Sequence, residues 1–245
     1  MAELPIATRC LGTPAVVATA GTGLGLLAFA ADFVEGIAGQ VMVGLTSSGF
    51  AWGLAAFLAG RCAGSARRAA AGATALLALA TVLYYLLVLS VSRRWSGGYL
   101  EDGTPADHQG LRSVAIMTAV WLLGSLVAGP LLGLFGYLVR AGGSPWAAPS
   151  AGVACGLLSG EGWHTLMVTA PWQVLTAVDP RHAEFLRGVV ISAIVRIALP
   201  LAVLAWLATA HRLWRAWPAL LAACVPSIAL STLAWRLLDA VAQAL

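Results

Sequence analysis

Glu161 and Arg196 are the residues of this chain best placed to do chemistry: each interrupts a long apolar run, and their charges are opposite. Glu161 stands in Leu157-Leu158-Ser159-Gly160-Glu161-Gly162-Trp163-His164, and Arg196 in Ile191-Ser192-Ala193-Ile194-Val195-Arg196-Ile197-Ala198. A charge at membrane depth costs about 2.5–3.5 kcal/mol on insertion scales, so it persists where it pairs, lines a cavity or reacts. A carboxyl and a guanidinium can bind each other, grip a ligand of mixed charge, or work as acid and charge partner in proton transfer. His164 lies three residues past Glu161, on an overlapping helix face. Asp32 and Glu35 form a second acidic set at i, i+3 spacing.

The elements that must hold these groups follow from composition. Of 245 residues, 60% are hydrophobic and 10% charged, against about 25% charged in a soluble domain. Several apolar stretches exceed the roughly 18 residues needed to cross hydrocarbon as a helix. They are continuous and rich in Ala, Leu and Val, without the alternation of barrel strands, so helices are expected. The predicted fold is an all-α polytopic transmembrane bundle, one integral-membrane domain over 1–245. About seven spans are read, near 14–33, 39–60, 69–92, 113–139, 147–170, 187–209 and 217–241. Gly36, Gly39, Gln40 and Thr46-Ser47-Ser48-Gly49 dilute the second, which leaves a broken or re-entrant helix open beside a continuous one.

The basic residues are all arginine, dispersed among short loops, and the net charge of +4 does not point to nucleic acid. Arg61, Arg67 and Arg68 mark their loop as cytoplasmic, which puts Arg9, Arg140, Arg212 and Arg215 on the same side. The opposite loops mix arginine with Glu101, Asp102, Asp107, Asp179 and Glu184. The expectation is an N-in, C-out, multi-pass protein of the cell membrane.

Depth counting brings the charges together. Glu161 is nine residues before Ala170, at the outer end of span five, and Arg196 is nine after Arg187, at the outer end of span six. At about 1.5 Å per residue, antiparallel neighbours place both at one depth, so an ion pair is easy. Gly152, Gly156 and Gly160 recur every fourth residue with His164 next in the row, and Gly129 and Gly133 repeat the spacing around Pro130. Such stripes let helix backbones approach closely, within the chain or between two copies of it. Trp52, Trp121, Trp163 and Trp206 lie deep, whereas Trp95, Trp146, Trp172, Trp214 and Trp217 sit near span ends, as an aromatic belt does. Cys10, Cys62, Cys155 and Cys224 form no CxxC and read as free thiols. No zinc, P-loop, nucleophile-elbow or Asp-rich diphosphate motif is present, so neither a metal nor a cofactor is expected.

The segments Trp52–Arg61, Trp121–Pro130 and Gly156–Glu161 resemble a family of small actinobacterial multipass proteins of unassigned function, over much of the chain. In layout alone, the size, span number and isolated intramembrane acids resemble the compact membrane-bound terpene cyclases of meroterpenoid and indole-sesquiterpenoid pathways. That second resemblance implies a metal-independent isomerase or lyase acting on a lipophilic, farnesyl-type substrate. An acid would protonate an alkene or epoxide and cation cyclisation would follow. Glu161, Asp32, His164 and Arg196 would form the catalytic set. Trp52, Trp121, Trp163, Tyr84, Tyr85 and Glu35 would line the substrate pocket, where aromatic faces stabilise a cation. The alternative from the same residues is a small-molecule transporter, or the substrate-binding membrane subunit of one, whose Glu161 and Arg196 bind a zwitterion. A purely structural ion pair also remains open.

Overall fold

The structure, a computed structural model, describes residues 14–99, 103–140 and 145–244; Arg9, Cys10, Glu101 and Asp102 lie outside them. Its helices are α1 (Pro14–Ala31), α2 (Gly36–Thr46), α3 (Gly49–Cys62), α4 (Ala66–Leu87), α5 (Asp107–Arg140), α6 (Ala147–Val168), the short α7 (Gln173–Thr176), α8 (Pro180–Ala210) and α9 (Trp217–Ala244). A π-helical turn at Val88–Ser92 extends α4, and a 3-10 turn at Leu213–Ala216 leads into α9. No β-strand occurs among the described residues.

Among the described residues, six helical stretches are long and apolar enough to cross a membrane: Pro14–Ala31, Gly36–Cys62, Ala66–Ser92, Asp107–Arg140, Pro180–Ala210 and Leu213–Ala240. The expected run at 147–170 is helical but is not among them. α6 has the length, 22 residues, yet Gly, Ser, Glu and His dilute its apolar content. Its place in the bundle explains how it can be so. Thirteen of those 22 residues are buried, whereas α5 buries six of 34. α6 is therefore the central helix, facing protein rather than surroundings, and small residues suit that position.

Local signals set several boundaries. Asp179 caps α8, its carboxylate accepting from Arg181 N at 3.3 Å and His182 N at 3.1 Å, with Pro180 in the first turn. This carries α8 about two turns past the apolar run that begins near Arg187. Span two is interrupted: α2 stops at Thr46 and α3 starts at Gly49, with Ser48 in extended backbone between them. α5 continues through Pro130, and α8 and α9 through Pro200 and Pro226.

Glycine seams bring the helices together. Gly152, Gly156 and Gly160 of α6 face Leu220, Cys224 and Ser231 of α9 in order, so these two helices run parallel. A Cβ on Gly156 would lie 2.5 Å from the Cys224 carbonyl oxygen and 2.7 Å from Ser227 Cβ. Ser231 Oγ uses that closeness to donate to Leu157 O at 2.9 Å. In the same way Gly21 and Gly25 of α1 face Leu76 and Ala80 of α4, again in parallel. Gly129 and Gly133 of α5 abut Thr74 and Ala69 of α4, and Gly133 also meets Gly60 of α3.

Candidate functional site

The break in span two opens onto the two charges that interrupt α6 and α8. Arg196 Nη1 donates to Glu161 Oε1 at 2.6 Å. The pair is well enclosed, with side-chain exposures of 14% for Arg196 and 16% for Glu161. The second carboxylate oxygen, Oε2, accepts from the backbone N–H of Gly49 at 2.9 Å. Gly49 is the first residue of α3, so the carboxylate sits where unpaired N–H groups and the helix dipole favour negative charge. Arg196 is steadied in turn: Nη2 donates to Ser192 Oγ at 3.2 Å and Nε to Ser192 O at 3.4 Å. Ser192 Oγ donates to Gln40 O at 3.3 Å, which ties α8 to α2.

These groups form one wall of a cleft of about 240 Å³. α2 contributes Gln40, Val43 and Gly44, the break Ser47 and Ser48, α6 Glu161, and α8 Phe185, Val189, Ser192 and Arg196. From Phe185 to Arg196 the lining descends α8 by three turns. α2 and α8 approach closely because Gly44 faces the Ser192 side chain and Gly188 faces the Gln40 amide. Two polar atoms in this lining, Gln40 Oε1 and Ser48 Oγ, are buried without a hydrogen-bond partner. A second, apolar crevice between Leu54, Leu158 and Pro200 measures about 10 Å³, the scale of a single water.

The residues singled out in the sequence separate into distinct groups. Glu161 and Arg196 meet as depth counting requires. His164 does not join them: its Nε2 lies 3.4 Å from Asp239 Oδ2 on α9. His164 continues the glycine row toward α9, whereas Glu161, one residue off that row, is turned about 100° around the helix. Asp32 belongs to a second cluster, at the end of the bundle where α1 and α4 finish. Its Oδ2 accepts from Tyr84 OH at 2.8 Å and from Arg94 Nη1 at 2.9 Å. Arg94 Nη2 also reaches Asp32 O at 3.2 Å, and the guanidinium lies 5.5 Å from the centre of the Phe33 ring. Tyr85 meets Tyr84 edge to face at 5.1 Å. Glu35 is exposed at the start of α2 and makes no capping bond.

The tryptophans lie apart from the cleft too. Trp52 and Trp121 rings are 6.3 Å apart, and Trp52 Nε1 donates to Thr46 O at 2.9 Å, satisfying a carbonyl at the break. Trp163 points outward at 36% exposure. None of Trp52, Trp121, Trp163, Tyr84, Tyr85, Asp32 or Glu35 lines the cleft. Gln40, Ser48, Ser192 and the Gly49 N–H are the site groups that sequence reasoning missed. Of these, only Ser48 and Gly49 fall in the diluted stretch Thr46–Gly49, which marked the break but not the site.

At the opposite end, Arg61 Nη2 donates to His211 Nε2 at 3.0 Å and its guanidinium lies 4.8 Å from the centre of the Trp206 ring. Burial, and then the Arg61 charge, push His211 below the ordinary histidine range, so its neutral ring can accept that bond. Arg140 donates to Ala63 O at 3.2 Å, just past the last residue of α3. Among the described residues no three His, Cys, Asp or Glu side chains gather as a metal site, and Cys62, Cys155 and Cys224 are free thiols. No family model, curated protein or solved structure matches the chain, so the site is read from its own chemistry.

Proposed function

We propose that the chain is a multipass protein of the cell membrane that binds a small polar solute in the cleft between α2, the break before α3, α6 and α8. It would act as a transporter or as the substrate-binding membrane subunit of one. The observation that carries this reading is the meeting of a broken helix with a mid-helix ion pair. Carriers build their sites from discontinuous helices, whose half-helix N-termini face anionic groups and whose unwound backbone lines the cavity. α3 begins at such a break, with its first N–H on Glu161 and Arg196 beside it. A volume of about 240 Å³ falls just below the roughly 300–1,000 Å³ of pockets for drug-sized ligands. It suits a solute of amino-acid size carrying one charge of each sign.

In this reading α6 also crosses, giving seven spans. The parallel pairs α1–α4 and α6–α9 support that alternation, because the members of each pair lie two crossings apart. Arg61, Arg67, Arg68, Arg140, Arg212 and Arg215 all fall at one end, which supports a cytoplasmic N-terminus under the positive-inside rule. The cleft then opens toward the outer leaflet.

The terpene-cyclase reading keeps Glu161 as its acid but draws less support. Both oxygens of Glu161 already accept hydrogen bonds, and the cleft presents one aromatic ring, Phe185, to a developing cation. The apolar crevice has no room for a prenyl chain. Reconstituted protein separates the two. Binding or uptake of labelled zwitterions from an amino-acid-sized panel is expected in the wild type and lost in the Glu161→Gln, Arg196→Leu double variant. Absence of binding across the panel, or binding indifferent to the double replacement, overturns the solute reading. Turnover of a farnesylated substrate that Glu161→Gln abolishes would carry the cyclase instead.

A further inference from the structure

The base of the cleft holds a carboxylate that belongs to the chain itself, and its partners form a cradle. One oxygen of Glu161 meets the Arg196 guanidinium and the other the Gly49 N–H. Gly49 opens a helix of 14 residues, whose end carries roughly half a positive charge. Beside it stands Ser48, the residue that caps this helix. A serine in that place ordinarily accepts from a first-turn N–H. Here its side chain makes no capping bond and has no partner, although the residue is only 5% exposed. Buried hydroxyls are almost always paired, so an unpaired one beside a charged cleft marks a contact still to be made. Gly49 has no side chain to crowd the seat: a Cβ there would lie 3.2 Å from both Glu161 Oε2 and the Trp235 ring. The adjoining cleft leaves Glu161 somewhere to withdraw.

We infer that Arg196, the Gly49 amide and the Ser48 hydroxyl form an oxyanion site for the carboxylate of a small ligand, and that Glu161 is its resident occupant, displaced when the ligand enters. Glu161 itself demonstrates the fit. A planar carboxylate offers one oxygen to the guanidinium and one to the backbone N–H, and the ionised acceptor strengthens both hydrogen bonds. The inference deepens the solute-binding reading: it assigns the acidic end of the solute to Arg196 and makes Glu161 a tethered competitor. Affinity in the wild type is then lowered by the share of molecules in which Glu161 holds the seat.

The test is chemical rescue of the full chain in detergent. Glu161→Ala empties the seat, and sodium acetate is titrated against sodium chloride at constant ionic strength while the thermal unfolding midpoint is followed. Acetate is expected to raise the midpoint of Glu161→Ala with an apparent dissociation constant at least tenfold below that of the wild type. Ser48→Ala in that background should weaken the response, and Arg196→Leu should remove it. Glu161→Gln, whose neutral amide holds the seat less tightly than the carboxylate, is read in parallel and should show a smaller gain over the wild type, which keeps the test if the alanine variant does not fold. Equal acetate responses in wild type and variants, or a response that survives loss of Arg196, overturn the oxyanion site. A phosphate response as strong as that to acetate overturns the carboxylate assignment. Rescue by acetate with no solute bound across the zwitterion panel would sink the solute reading alone and leave the anion site standing.

Discussion

Two arginine–carboxylate pairs, similar on paper, sit in opposite circumstances. Asp32 follows directly on the last residue of α1, and Arg94 lies just past the π turn that ends α4. Their contact, at 2.9 Å, closes the end of the α1–α4 seam; Tyr84 covers the carboxylate, which is 11% exposed, but Arg94 is 45% exposed. Glu161 and Arg196 instead lie within α6 and α8, both largely enclosed, beside a cleft and a broken helix. A pair at a helix end can keep part of its hydration and needs no further reason to exist. A pair in mid-helix gives up solvation on both partners, and attraction alone seldom repays that loss. The comparison teaches that geometry between partners says little about role; what surrounds the pair says more.

The largest effect that would break this comparison comes from removing one partner of the enclosed pair. Arg196→Leu leaves Glu161 with only the Gly49 N–H and should lower stability by about 3–5 kcal/mol, measured by denaturant unfolding in detergent. Adding Glu161→Gln should recover most of that loss, because the uncompensated charge is gone. An intermediate effect sharpens the contrast between the seams. Gly156→Leu pushes α6 from α9 and Gly25→Leu pushes α1 from α4, each at about 1–3 kcal/mol. Only the first should also weaken acetate rescue in the Glu161→Ala background, because α6 packs against α8 beside Arg196, whereas α1 and α4 do not border the cleft. The smallest effect belongs to the pair whose arginine is exposed. Asp32→Asn should cost about 0–1 kcal/mol, with solute binding and acetate response unchanged. A larger loss of binding there would place Asp32 in the site and collapse the distinction between the two clusters.

Much of the bundle was legible in the apolar runs, because a helix facing lipid must be apolar over its length and shows it in any window. The runs behind α1, α4, α5, α8 and α9 are of this kind. α6 reads as a span only loosely, because a helix surrounded by other helices is free to use Gly, Ser and His, and neighbours are invisible in one sequence. The boundary at Asp179 was missed for a similar reason: a cap and a proline extend α8 beyond the apolar stretch that betrays it. The Glu161–Arg196 contact was legible because depth follows from counting residues along antiparallel rods. The aromatic pocket was not. Depth is one coordinate, and rotation about the helix axis is another that single residues do not reveal. Trp163 sits at suitable depth yet turns outward, and Tyr84 is spent on Asp32. Gln40 and Ser48 carried no signal of their own, since a polar residue in a diluted stretch looks like a loop until the opposite wall is known.

The composition of α6 has a consequence for how the protein is made. In the proposed seven-crossing arrangement, the translocon would receive a segment less apolar than the six long apolar helices. Its entry would wait for α8 and α9 to emerge and shelter it, so the central element of the finished bundle would be the last to be secured during synthesis. A ribosome halted before α9 is complete would hold a nascent chain whose middle is still undecided between water and bilayer.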